Sequence, residues 1–138
     1  MIAPQTEPSG PNSFAFLLNG GLEAGAEARR ALVAADGRLP AAIRADVLLL
    51  LTELVTNAVR HGSVAPGQSV RVEVRQWPGR VRVEVLDPGT RFTQLRPGPR
   101  RDESGGWGLF LVDRIADDWG VARAAAGTCV WFEIELER

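Results

Sequence analysis

Glu53 and Asn57 stand four residues apart in the stretch Glu53-Leu-Val-Thr-Asn57-Ala-Val-Arg-His61. On a helix that spacing stacks the two side chains on one face, one turn apart, and His61 continues the line for a further turn. At about 100° per residue, Val47, Leu48, Leu51, Leu54, Val55, Ala58 and Val59 fall in one arc. Thr52, Glu53, Thr56, Asn57, Arg60 and His61 fall in the opposite one. The ordinary reading of such an arc is the solvated side of an amphipathic helix. Two details point elsewhere. Leu49 and Leu50 occupy the polar arc one turn earlier, and a carboxylate followed by a carboxamide suits the holding of Mg2+ and a water. Mg2+ commonly takes one or two protein groups and completes its shell with phosphates and waters.

Asp87 is in phase with Val81, Val83 and Val85, so strand alternation aims it at the buried side. An ionised carboxylate there costs several kcal/mol unless donors satisfy it, and a purine amino group is one such donor. The alternative is that Asp87-Pro-Gly89 is a turn closing a strand, with Gly89 serving that turn rather than the close approach of a ligand. Thr128 shares the phase of Val130, Phe132, Ile134 and Leu136. Its hydroxyl is either a second inward polar group or part of an ordinary β-branched strand residue. Gly105-Gly106-Trp107-Gly108 leads straight into Leu109-Phe-Leu-Val112. Free amides at a helix start attract phosphate, and glycines let the backbone approach it. The dinucleotide fingerprint is a different pattern, since it opens a helix directly after a strand.

The elements that must position these groups are legible as periodicities. Phe14, Phe16 and Leu18 alternate as a first strand, and Leu22–Ala35 reads as a helix ended by Asp36-Gly37. Pro40 opens the helix of Glu53 and Asn57, which His61-Gly62 stops. Val70, Val72 and Val74 alternate with Arg71, Glu73 and Arg75, a strand with one wet face. Trp77-Pro78-Gly79-Arg80 turns into the partner strand of Val81, Val83 and Val85. Residues 90–106 form a long polar loop with several arginines, either a lid over a triphosphate or a surface connection. A short helix runs from Trp107 or Gly108 to about Trp119, and the last strand from Thr128 to Leu136. The order β-α-α-β-β-α-β predicts an α+β fold: a two-layer α/β sandwich with a mixed sheet and helices packed on one face. Residues 1–13 are expected to be a flexible N-terminus and residues 14–138 a single domain.

Composition narrows the function classes. The chain has 138 residues, a net charge of −1 and one cysteine. Neither nucleic acid nor membrane is expected as a direct partner. No unbroken apolar run exceeds the five residues of Val47–Leu51, far too short to span a bilayer. The first residues lack the pattern of a signal peptide, so a cytoplasmic protein is expected. Cys129 lies in an apolar stretch and is expected in the core. No Cys/His cluster suggests a metal site. All 16 basic residues are arginine and tyrosine is absent. With no lysine, a Walker-type phosphate loop is excluded.

Taken together, Glu53-Leu-Val-Thr-Asn57-Ala-Val-Arg-His61, Asp87-Pro-Gly89, Gly105-Gly-Trp-Gly108-Leu-Phe-Leu-Val112 and Gly127-Thr128 resemble the GHKL ATPase superfamily, which uses the Bergerat ATP-binding fold. They match its N box, two glycine boxes and terminal threonine, in the family's order, over roughly residues 14 to 136. The small size and the wording of the N box are similar to the anti-sigma-factor serine/threonine kinases and related stand-alone regulators of transcription. The resemblance implies that Asn57 ligates Mg2+ and that Glu53 orients or deprotonates the nucleophile. Asp87 would recognise the adenine amino group, assisted by Thr128, with Gly89 near the base. Gly106, Gly108 and the following amides, beginning with Leu109, would hold phosphates, near Arg60 and His61. It further implies ATP and Mg2+ as cofactors, a homodimer, and an anti-sigma antagonist protein or a sigma factor as partner. The first helix, with Arg29 and Arg30, is a candidate docking face.

The sequence departs from the pattern at Thr90-Arg91, where the first glycine box often carries a second glycine. It also shows no helical dimerisation module with a phospho-accepting histidine, which speaks against a complete sensor histidine kinase. The leading expectation is a kinase that transfers the ATP γ-phosphoryl to a serine of the antagonist. The rival is a non-catalytic, nucleotide-gated module that captures a regulator. A third reading, an α/β domain with coincidental motifs, would show no response to ATP-Mg2+.

Overall fold

Alternating valines build the centre of the sheet, because β-branched side chains fit a pleated surface that is buried on one side. The computed structural model describes residues 13–21, 23–34, 39–61, 67–88, 108–124 and 127–136 and, of residues 60, 61, 108, 109, 123 and 124, the backbone alone. The elements are β1 (Phe14–Asn19), α1 (Ala24–Ala34), α2 (Ala41–His61), β2 (Ser69–Trp77), β3 (Arg80–Asp87), α3 (Gly108–Ile115), β4 (Asp118–Ala124) and β5 (Gly127–Glu135). Residues 1–12 and the expected lid at 90–106 lie outside the described residues.

The five strands are ordered β1-β2-β3-β5-β4. The α+β, two-layer expectation holds, with one correction: among the described residues every pairing is antiparallel, so the sheet they form is not mixed. The cause is β4. The short helix ends at Ile115, not near Trp119, and a strand follows within a few residues. A strand–helix–strand crossover returns the chain parallel. The β4–β5 hairpin adds one reversal and makes β5 antiparallel to β3.

Pro78 and Gly79 turn β2 into β3, with Gly79 at a φ of 92° that side chains rarely adopt. At the other end of the sheet the backbone N–H of Asn19 donates to Glu27 Oε1 at 3.2 Å, tying the end of β1 to the first turn of α1. The described helices cover one face. Val72, Val74, Val83, Val85 and Phe132 meet Leu32, Val47, Leu51, Val55 and Val112 in one core. The central helix α2 is buried over more of its circumference than its polar arc suggested. Leu50 and Asn57 are buried, Glu53 is half-buried and Leu49 stays exposed. Packing against α1, α3 and β3 leaves no exposed side chain over residues 50–59, whereas Ala41, Ala42, Ala45, Asp46 and Leu49 of the N-terminal half stay exposed.

The other face carries charge. Arg71, Glu73 and Arg75 of β2 lie beside Arg82 and Glu84 of β3 and Glu133 of β5. Arg82 donates to Glu84 Oε2 at 2.8 Å and to Glu133 Oε2 at 2.9 Å, and its guanidinium lies 4.1 Å from the Trp131 ring centre. This face is polar, but its centre is not wet: Glu73 and Glu84 are both buried. Cys129 is buried as expected, though on this face rather than in the core between sheet and helices.

Candidate functional site

Five polar or charged side chains are buried among the described residues: Asn57, Glu73, Glu84, Asp87 and Thr128. Glu73 and Glu84 belong to the charged face, each within 4 Å of arginine nitrogens. The other three lie between sheet and helices, and all three are residues that the sequence singled out.

Asp87 ends β3 and Thr128 stands directly opposite it on β5. Both share the phase of the buried valines, which turns the carboxylate and the hydroxyl to the helix side at 1% and 0% exposure. Directly opposed strand residues have Cβ atoms about 5 Å apart, close enough for one small ligand group to meet both.

What sets this opposition is Gly127, whose part beyond the motif the sequence reading missed. Its φ is 145°, and a Cβ added there would fall 1.9 Å from the Asp87 carbonyl oxygen and 2.7 Å from Pro88 Cα. Only glycine lets β5 begin this close to the end of β3. The available signal was a lone glycine directly before an inward-facing strand residue.

Asn57 and Glu53 lie one turn apart on α2, which packs on β3. Asn57 is only 7% exposed, whereas Glu53 is half-buried. The carboxamide is thus inside the layer and the carboxylate at its rim, the order needed if one ligates and the other meets an incoming molecule. Beside them on α2, Thr56 meets α1, where Gly25 comes so close that an added Cβ would lie 3.0 Å from Thr56 Oγ1. That contact fixes α2 beside α1.

The helix α3 is described from Gly108, one of the two starts expected, while Trp107 lies outside the described residues; α3 packs against α2 around fully buried Val112. Gly108 and Leu109 therefore supply backbone amides at its first turn. Arg60 and His61 occupy the last turn of α2 in backbone. Gly89 and Gly106 lie outside the described residues.

Among the described residues no three His, Cys, Asp or Glu side chains are grouped to hold a metal ion. A neutral oxygen from Asn57 fits Mg2+, which phosphate oxygens and waters would otherwise surround. No described helix is long and apolar enough to cross a membrane.

The shifted ionisations lie on the opposite face. Burial of Arg82 works against its charge, but hydrogen bonds to Glu84 and Glu133 outweigh it and hold its pKa above the ordinary value. Burial pushes the Cys129 thiol up to about 12, and the nearby Glu84 charge adds to it. A thiol so placed stays protonated and is a poor nucleophile.

Residues 21–134 match the family model of the histidine kinase-like ATPase domain. Among solved structures, the chain is similar to the RsbU and RsbW domains of Rv1364c from Mycobacterium tuberculosis. The TM-score is 0.64 at 19% identity, over 88% of this chain and 31% of that one. It is also similar to the blue-light activated histidine kinase EL346 of Erythrobacter litoralis, with a TM-score of 0.53 at 23% identity, over 80% of this chain and 40% of that one. The chain thus spans well under half the length of either, and likeness at this identity establishes the shared fold. No curated protein sequence matches the chain.

Proposed function

Because the chain belongs to the family of histidine kinase-like ATPase domains, we propose that it binds ATP with Mg2+ and transfers the γ-phosphoryl group to a serine of an antagonist protein, as a regulator of the anti-sigma type. The observation that carries the reading is the placement of Asn57, Asp87 and Thr128 as the buried polar side chains of the helix–sheet layer. Their types suit the ligand. Asp87 accepts from the adenine amino group, with the Thr128 hydroxyl beside it and Gly89 near the base. Asn57 offers its carboxamide oxygen to Mg2+, which supplies neutralisation of the phosphate charge. Gly106, Gly108 and the amides from Leu109 onward hold phosphate oxygens at the start of α3, with Arg60 and His61 nearby.

Phosphoryl transfer needs mainly positioning and electrostatics. Glu53, at the rim, takes the proton of the serine hydroxyl. The serine Oγ–P bond forms as the bond from the γ-phosphorus to the bridging oxygen breaks, and ADP leaves. The exposed arginines Arg29 and Arg30 on α1 are the proposed docking face for the antagonist or a sigma factor. A homodimer working in the cytoplasm completes the proposal.

The test combines ATP-Mg2+ titration with transfer of labelled γ-phosphate to candidate antagonists. Glu53→Ala should lower transfer by about 10^2- to 10^4-fold while ATP affinity stays within about threefold. Asn57→Ala should remove the Mg2+ dependence of ATP binding. A wild type that binds ATP but labels no antagonist leaves only a nucleotide-gated binding module.

A further inference from the structure

The helix α3 has eight residues, Gly108–Ile115, and a helix so short does not hold itself in water. Its direction is set by what it touches. The C-terminal end is fastened to the sheet. The Ala116 N–H closes the last turn on Val112 O at 2.9 Å, and the Asp117 N–H donates to Glu133 O at 2.9 Å. The Glu135 N–H donates to Asp117 Oδ2 at 2.7 Å. Above these, the Trp119 indole Nε1–H donates to Asp113 Oδ1 at 2.9 Å. Trp119 lies on the helix side of β4, opposite Phe132 in register and packed on the core.

Asp113 is out of place by local rules. Aspartate is a weak helix former, and a carboxylate in a helix's last turn opposes the macrodipole. A residue that violates local preference needs a tertiary reason, and the indole N–H is the partner that the structure gives it. The bond is charge-assisted and half-buried.

We propose that the Asp113–Trp119 hydrogen bond is the pivot that aims the start of α3 at the phosphates of the bound nucleotide, so that both are positioning residues; this rests on the ATP-binding reading above. Gly108 lies five residues before Asp113, about 7.5 Å along the axis at 1.5 Å per residue. A tilt of about 10° at the pivot moves the first amides by roughly 1 Å, a misplacement of the size that matters in a positioned site. The adenine end, with Asp87 and Thr128, sits on β3 and β5 and does not share the lever.

Calorimetric titration of the full chain with ATP-Mg2+ and, separately, with adenosine tests this. Trp119→Phe keeps the ring but removes the donor, and it should weaken ATP binding by about five- to tenfold, or roughly 1–1.4 kcal/mol. Adenosine binding should stay within about twofold. Asp113→Asn keeps an accepting oxygen and should restore most of the ATP affinity, whereas Asp113→Leu should behave like Trp119→Phe. If Trp119→Phe does not fold, as judged by its thermal melt, Asp113→Leu carries the same comparison. Unchanged ATP affinity in these variants overturns the pivot, as does a parallel loss of ATP and adenosine. A wild type that ignores ATP overturns the ATP-binding reading and the pivot with it; a wild type that binds ATP as tightly as its variants overturns the pivot alone.

Discussion

The two faces of the sheet bury carboxylates in opposite ways. On the charged face, Glu73 and Glu84 sit in the middles of their strands, directly opposed, with Arg71, Arg75 and Arg82 within 4 Å. On the helix side, Asp87 sits at the end of β3, opposite a hydroxyl. A buried carboxylate among guanidinium groups is part of the scaffold. The one at the strand end, opposite a hydroxyl, is the group that the proposed function assigns to the adenine. Burial alone therefore does not tell a ligand-binding group from a scaffold group.

The largest effect expected from disturbing this arrangement is at Gly127. Gly127→Ala places a methyl on the Asp87 carbonyl at a φ that alanine resists. Overpacking and backbone strain together should destabilise the protein by about 4 kcal/mol or abolish folding. Gly79→Ala also forces a positive φ, but nothing lies within 4 Å of the added carbon. It should cost about 1 kcal/mol and leave ATP binding intact. Urea denaturation of the two variants gives the comparison. Equal losses would mean that the Asp87–Gly127 approach is not a tight contact.

Next comes an exchange of roles between the faces. Glu84→Gln neutralises a carboxylate between Arg75 and Arg82. It should lower stability by about 2–3 kcal/mol with ATP affinity unchanged. Asp87→Asn should do the reverse: stability within about 1 kcal/mol, but ATP affinity down by about 10- to 100-fold, the worth of a hydrogen bond to a charged group. If Glu84→Gln weakened ATP binding and Asp87→Asn did not, the assignment of the two faces would be inverted.

Sequence periodicity was enough for the helix side. The valine alternation of β2 and β3 and the inward phase of Asp87 and Thr128 follow from a period of two, which one buried face enforces. The Pro78-Gly79 turn and the apolar arc of α2 were equally plain. What was not legible lies where local pattern is weak or neighbours decide. In β4, Trp119-Gly-Val-Ala-Arg-Ala124 carries little contrast between its faces, and beyond the expected helix end near Trp119 no element is read there from the pattern. Without β4 the direction of β5 is open, and the sheet is misread as mixed. Glu73 and Glu84 look solvent-facing by alternation, since nothing in one strand shows that arginines from its neighbours enclose them. Gly127 acts across strands, on the backbone of Asp87, at a distance in sequence that no local rule spans.

The effect that vanishes at neutral pH is confined to alkali and sits at the boundary between the two faces. Thr128 and Cys129 are adjacent, yet one turns to the helices and the other to the charged face. The Cys129 thiol has its pKa raised from 9.0 to about 12 by burial. Below pH 9 the folded and unfolded chains both keep the proton, so the thiol contributes nothing to pH dependence. Between 9 and 12 the unfolded chain releases it first and the folded chain holds it. Stability therefore falls with rising pH, at a slope approaching about 1.4 kcal/mol per unit. The chain has no lysine and no tyrosine, and a single cysteine. No other side chain ordinarily titrates in that window, so the slope reports this one thiol. Urea denaturation at pH 8, 9.5 and 10.5 should show the decline in wild type and a flat profile in Cys129→Ala. A decline that persists in Cys129→Ala would mean that charge on the arginine–glutamate face, not the thiol beneath it, governs stability in alkali.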